Sequence, residues 1–174
     1  MNIADAILAR LALEGIDTAF LVYGGAISEL CDAFTRQDKI QYVCFMHEQS
    51  CGFAAEGYAK TKGISGLAIA TSGPGGMNLV TAIGNCFFDS TPCIFITGQV
   101  ATNLIKPDGS GLRQLGFQEC DIVGICKPIT KFAFTIKDAT KALDTLDMAI
   151  DIAKSGRPGP VLLDIPVDVQ RASC

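Results

Sequence analysis

The run Ile40-Gln41-Tyr42-Val43-Cys44-Phe45-Met46-His47-Glu48-Gln49-Ser50-Cys51-Gly52-Phe53-Ala54-Ala55-Glu56-Gly57-Tyr58-Ala59-Lys60 changes character halfway along. Its first half is apolar, β-branched and aromatic, which predicts a buried strand. Its second half spaces Cys51, Ala54, Ala55, Tyr58 and Ala59 by three and four, which predicts a helix. His47, Glu48 and Gln49 fall where the strand hands over to the helix. In an open α/β sheet ligands bind at the carboxyl ends of the strands. A carboxylate placed there, between two apolar segments, is a candidate functional group.

Working outward, the same alternation recurs on both sides. Asn2 is placed to cap a helix over about residues 3–14 that Gly15 stops. Thr18 to Tyr23 reads as a strand, turned by Gly24-Gly25 into a helix reaching about Phe34. Beyond Gly63, Gly66 to Thr71 reads as a buried strand. It runs into Ser72-Gly73-Pro74-Gly75-Gly76 and a helix from about Met77 to Phe88. Pro92 to Thr97 is a further strand ending in Gly98-Gln99. Residues 101–118 read as a long loop, a length that in a compact domain signals function or mobility. Phe132 to Ile136, a helix over about 138–154, and a strand from Val161 to Ile165 complete the series. Strands alternating with helices predict an α/β three-layer sandwich: a mainly parallel sheet of about six strands with helices on both faces. The turns at 24–25, 47–49 and 72–76, and Gly98-Gln99, then converge on one edge of the sheet.

Bulk properties narrow the function classes. The chain has 174 residues, 49% of them apolar and 18% charged, with a net charge of −4. That suits one domain with a full core and argues against disorder. No basic cluster exists, so nucleic acid and anionic membrane are poor partners. Eight cysteines without a C-x-x-C pair, mostly inside apolar runs, read as free thiols in a reducing cytoplasm.

The residues by themselves leave three choices open. Ser72-Gly73-Pro74-Gly75-Gly76 is either a phosphate-cradling loop or a plain tight turn. It lacks the Gly-Lys-Ser/Thr of a Walker loop and the third glycine of G-x-G-x-x-G, where Asn78 stands. His47, the one histidine, is either catalytic or a satisfied core or turn residue. Glu48 is either a functional acid or a helix-start acid, stabilised there by a fraction of a kcal/mol to about 1 kcal/mol.

Read together, the motifs resemble the N-terminal, pyrimidine-binding domain of thiamine diphosphate enzymes, in the acetolactate synthase large-subunit branch. The residues carrying the resemblance are His47-Glu48-Gln49 with Ala54-Ala55-Glu56-Gly57-Tyr58-Ala59, Thr71-Ser72-Gly73-Pro74-Gly75 with Asn78, and Asp89-Ser90-Thr91-Pro92. Thr97-Gly98-Gln99-Val100, Phe117-Gln118-Glu119, Pro128-Ile129-Thr130-Lys131, and Gly156-Arg157-Pro158-Gly159-Pro160 with Asp164-Ile165-Pro166 follow in family order.

The resemblance implies that Glu48 is catalytic, hydrogen-bonding N1′ of the aminopyrimidine of thiamine diphosphate and sharing a proton with it. That exchange lets the cofactor attack the carbonyl of a 2-keto acid and serve as electron sink for its decarboxylation. It further implies that Gly24, Gly25, Thr71, Pro74 and Asn78 join Glu48 in binding the cofactor. Ala26, Phe117, Gln118 and Lys131 would face the substrate or flavin side. No metal ligand is implied in this chain. Magnesium would be held with the diphosphate by a separate domain whose Gly-Asp-Gly motif does not occur here, and FAD would belong to the full-length enzyme.

Two departures bear on the substrate. The family's first turn is usually Gly-x-Pro-Gly-Gly, whereas this chain has Leu21-Val22-Tyr23-Gly24-Gly25. The loop from Lys106 to Gly116 resembles acetolactate-synthase-like proteins whose acceptor is not pyruvate. The expected organisation is a cofactor-binding domain over residues 1–170, with 171–174 beginning a linker to a central domain. On this reading the site is completed by the diphosphate-binding domain of the same or a partner chain. The assembly would be a homodimer or tetramer, with the small-residue helices after Glu48 and Gly76 as contact faces. Alternatives are one subunit of a split decarboxylase of the sulfopyruvate decarboxylase kind, a non-catalytic dimerisation module, and an unrelated nucleotide-binding domain using residues 72–76.

Overall fold

The computed structural model describes residues 1–174. Six strands form one all-parallel sheet: β1 (Thr18–Leu21), β2 (Gln41–Cys44), β3 (Gly66–Ala70), β4 (Cys93–Gln99), β5 (Phe132–Thr135) and β6 (Val161–Pro166), in the order β2-β1-β3-β4-β6-β5. Eight α-helices surround it: α1 (Ile3–Leu13), α2 (Ser28–Phe34), α3 (Glu48–Lys62), α4 (Pro74–Asn78), α5 (Val80–Phe88), α6 (Ile122–Cys126), α7 (Ala142–Lys154) and α8 (Val167–Arg171).

Period-two alternation in the central strands feeds two separate cores. Leu67, Ile69, Ile94, Ile96, Val161 and Leu163 point to one face, where α1, α2 and α7 cover them. Ala68, Ala70, Cys93, Phe95 and Leu162 point to the other, under α3, α5 and α6. The three-layer arrangement follows directly. Asn2 closes the first helix in a capping box: its side chain accepts from the Asp5 backbone N–H at 2.9 Å, and the Asp5 carboxylate accepts from the Asn2 N–H at 3.0 Å. At the far end of the chain, Ser173 pairs with Asn2 in an antiparallel bridge. The eight cysteines are unpaired.

Several elements differ from expectation. Strand β2 is not buried; it is an edge strand exposed along its whole length, with Tyr42 52% accessible. Its apolar composition suits the pleat, and edge position is decided by which strands pair, something composition cannot report. The helix expected from Met77 begins earlier, at Pro74, and breaks at Leu79 into α4 and α5. Pro74 occupies the first helical turn, where its missing N–H and fixed φ do no harm. Helices α6 and α8, each five residues long, were too short to give a periodic signal. On α3 the small residues Cys51, Ala55 and Ala59 are buried in the core shared with α5, while Phe53 and Gly57 face outward.

Candidate active site

The carboxyl ends of β1, β2 and β3 bring together three turns. Glu48 is the first residue of α3 and is 9% exposed. His47 caps that helix, its Nδ1 accepting from the Gln49 backbone N–H at 3.2 Å, so it is a turn histidine. Asn78, at the end of α4, donates its Nδ2 proton to Glu48 Oε2 at 2.8 Å. That is the one protein hydrogen bond Glu48 receives; Oε1 is left free, with the backbone of Gly75 beside it.

The wall opposite is the turn after β1. Thr71, which follows β3, accepts from the Ala26 backbone N–H through Oγ1 at 3.1 Å. A side chain at Gly24 would place its Cβ 2.4 Å from Thr71 Cβ, so only glycine fits against the threonine. At Gly25 a Cβ would meet no atom within 4 Å, so the packing of this chain does not demand glycine there. Gly25 instead opens onto a cleft of about 410 Å³ that it lines with Ala26, Thr71, Ser72, Phe117 and Gln118.

The 72–76 segment is packed tightly against the backbone of Gln118. Gly73 has φ +58°, and a Cβ there would lie 2.4 Å from the Gln118 carbonyl oxygen. Gln118 itself takes a left-handed φ of +59°, a conformation costing roughly 1–3 kcal/mol for a non-glycine residue and found where surrounding structure enforces it. The Phe117 ring is 81% exposed at the rim of the cleft. The long loop before it is anchored by Glu119, whose carboxylate accepts from the backbone N–H groups of Lys106 (2.8 Å) and Leu115 (2.7 Å).

Gly24, Gly25, Ala26, Glu48, Thr71, Pro74, Asn78, Phe117 and Gln118 therefore share one rim of the sheet. Lys131 does not join them. It precedes β5, whose start pairs with Val161, so it lies at the amino ends of the strands. Its Nζ donates to the carbonyls of Ile152 and Ser155 (2.6 Å to the latter), closing the C-terminus of α7. The expectation that Lys131 faces the substrate finds no support in this chain's geometry. In a parallel sheet a residue before a strand and a residue after one are on opposite edges.

Besides Glu48 and Glu119, two acids quoted above only as parts of the family motifs prove to be buried. Glu56, 4% exposed, accepts from Asn85 Nδ2 at 2.8 Å on both oxygens and pairs with Lys60 Nζ at 2.7 Å. Asp164, 2% exposed, accepts from Thr97 Oγ1 (2.8 Å), Gln99 Nε2 (3.0 Å) and Thr135 Oγ1 (3.2 Å). Burial raises the pKa of Asp164 to about 6 against the pull of those three donors. An acid inside the apolar run Val161–Pro166 was the available signal.

The residues present fit an aminopyrimidine. Glu48 has one oxygen uncommitted and the other fixed by a neutral amide, and Gly25 on the same rim has no internal packing duty, which are the features such a ring needs from this side. No group of three or more His, Cys, Asp or Glu side chains is arranged to hold a metal.

A family model described as thiamine pyrophosphate enzyme, N-terminal TPP binding domain, matches residues 1–125. The chain is 42% identical over 168 residues to the chloroplastic acetolactate synthase of Arabidopsis thaliana, covering 97% of this chain and 24% of that protein. It is 42% identical over 170 residues to a probable acetolactate synthase large subunit of Methanocaldococcus jannaschii, covering 98% and 27%. It is 40% identical over 165 residues to the acetolactate synthase large subunit of Haemophilus influenzae, covering 95% and 28%. The chain spans about a quarter of the length of these relatives.

Proposed function

Because the chain belongs to the thiamine pyrophosphate enzyme family as its N-terminal cofactor-binding domain, we propose that it forms the pyrimidine side of the active site of an acetolactate synthase-like 2-keto acid decarboxylase or carboligase. The single observation that supports this most strongly is the uncommitted Oε1 of Glu48 beside Gly75. Thiamine diphosphate, when bound, supplies the nucleophilic carbon and the electron sink that decarboxylation needs. This chain supplies the proton control. Glu48 Oε1 gives and takes a proton at N1′ of the pyrimidine, in a setting that keeps bulk water away. Asn78 fixes the other oxygen by a neutral hydrogen bond, so no cation competes for the acid. Thr71 and Gly24 set the opposite wall, and Gly25 and Pro74 give the ring its space. Ala26, Phe117 and Gln118 face the substrate.

The site is half of one. The diphosphate and its magnesium are held by a second domain of the same or a partner chain. Tyr23, Met46, Phe53 and Met77 leave exposed apolar surface for docking, Met46 at 99% accessibility. A dimer or tetramer supplies that arrangement. The unpaired cysteines fit a reducing compartment, and we place the protein in the cytoplasm; no helix is long and apolar enough to cross a membrane.

The test is Glu48→Gln in the enzyme assembled with its diphosphate-binding domain. Turnover of a 2-keto acid should fall by about 10²- to 10⁴-fold with the fold intact. Near-normal turnover rejects the role. The isolated chain should bind thiamine diphosphate weakly and turn over nothing; tight magnesium-independent binding by calorimetry would contradict the half-site.

A further inference from the structure

We propose that Gln170, which lies outside the cleft, is a positioning residue that holds the Ala26 carbonyl and through it the wall built by Gly24, Gly25 and Ala26. The proposal rests on the cofactor site described above, since that site gives the wall a catalytic consequence.

Gln170 sits in α8 and is 0% exposed. Its Nε2 donates to two carbonyl oxygens at once, Ala26 and Ile165, each at 2.7 Å. Two acceptors fix which end of the amide faces them, because an amide oxygen or a carboxylate would be repelled. Ile165 belongs to β6, so the side chain ties a glycine turn after β1 to the frame of the central sheet across 144 residues of sequence. Its Oε1 has no partner, so the nitrogen alone holds the amide in place.

The same residue is clamped from two further directions. The Ala26 N–H donates to Thr71 Oγ1 at 3.1 Å. The backbone of β4 presses on the carbonyl: a Cβ on Gly98 would sit 2.1 Å from Ala26 O. Ala26 is thus held at its N–H by the cofactor side of the cleft, at its C=O by Gln170, and by contact with Gly98. Its free side lines the cleft with Gly25. Gln170 and Gly98 touch none of the residues assigned to the cofactor, and of these two only Gln170 holds Ala26 through a side chain that can be replaced without a backbone clash. Loosening it should disturb the orientation of the reacting partners without removing a contact to them, and small misplacements are expensive in rate.

The experiment uses the assembled enzyme with Gln170→Met, which keeps side-chain length and removes both donors, and Gln170→Glu. With Gln170→Met, amide exchange across residues 24–28 should rise by about tenfold while the central strands stay protected. The dissociation constant for thiamine diphosphate should change less than about threefold, and kcat for a 2-keto acid should fall by about 10- to 100-fold. With Gln170→Glu, activity should recover as pH is lowered, because the neutral acid donates one hydrogen bond that its anion cannot. Wild-type kcat in Gln170→Met overturns the proposal. So does exchange that rises evenly over the whole domain, since that marks a structural role, or a Gln170→Glu profile parallel to wild type. The exchange readout needs no cofactor. Should Glu48→Gln keep its turnover, the cofactor reading falls, and the catalytic part of this proposal with it, whereas a wild-type exchange pattern in Gln170→Met overturns the clamp alone.

Discussion

Glu48 and Glu56 lie on the same helix, about 12 Å apart along its axis, both buried and both held by an asparagine from the α4–α5 segment. Their surroundings then diverge. Glu56 has both oxygens engaged by Asn85 and a lysine one helical turn away, so its charge is balanced inside the chain. Glu48 has one oxygen engaged, by a neutral amide, and no cation. An acid closed off by its own protein is a structural member. An acid with one oxygen left unpaired beside a glycine turn is available to a ligand, and position relative to the sheet edge decides which is which.

Four measurements would break or sharpen that contrast. The largest effect is a crossed pair. Glu48→Gln should cost about 10²- to 10⁴-fold in turnover and little stability. Glu56→Gln should cost about 1–3 kcal/mol of stability by leaving Asn85 and Lys60 imperfectly paired, with turnover per folded enzyme nearly unchanged. Urea melts and steady-state kinetics on both variants read the crossing, and equal loss of turnover in the two would abolish the distinction.

Next come the adjacent glycines across the cleft. Gly24→Ala drives a methyl into Thr71 and should destabilise by about 1–3 kcal/mol. Gly25→Ala meets nothing within the chain, so its melting temperature should hold while thiamine diphosphate binding in the assembled enzyme weakens by about tenfold. A stable, tightly binding Gly25→Ala enzyme would remove Gly25 from the cofactor wall.

Asp164 extends the contrast to pH. Its folded pKa of about 6 lies above the ordinary 3.8, so the native state binds the proton more tightly than the unfolded chain. The stability this gives is fully present below about pH 4 and is lost as pH rises through about 6. Relative to Asp164→Asn, wild type should therefore lose up to about 3 kcal/mol between pH 4 and pH 7. Denaturation midpoints that track each other across that range would show the acid is not desolvated.

The smallest effect is at Lys131. Lys131→Met should cost about 1 kcal/mol through the lost cap on α7, with kcat and KM unaltered. A change in KM for the 2-keto acid in the assembled enzyme would instead bring Lys131 back to the substrate, through contacts this chain alone does not make.

Much of this was readable from the residues. Apolar runs of strand length separated by helical spacing gave six strands in order, and the glycine turns after Tyr23 and Thr71 marked the functional rim. Edge and centre were not read: the whole run from Ile40 to Met46 passed for a buried strand, yet Gln41–Cys44 is exposed along its length while Gly66–Ala70 is wholly buried. The edge occupied by Lys131 was readable, since it directly precedes the strand that starts at Phe132 and a residue before a parallel strand lies at the amino edge; the family motif alone had set it on the substrate side.

By itself the sequence determined that the chain is a parallel α/β domain of the thiamine diphosphate kind with a carboxylate at a strand-to-helix turn. Alternating periodicity and turn chemistry are local properties, written into neighbouring residues. Tertiary structure alone decided which of two helical acids stays uncommitted, that Asn78 holds it, and that Gln170 reaches back to Ala26. Those facts are contacts between residues 30 and 144 positions apart, and only the packing of layers around the sheet brings such atoms within hydrogen-bonding distance.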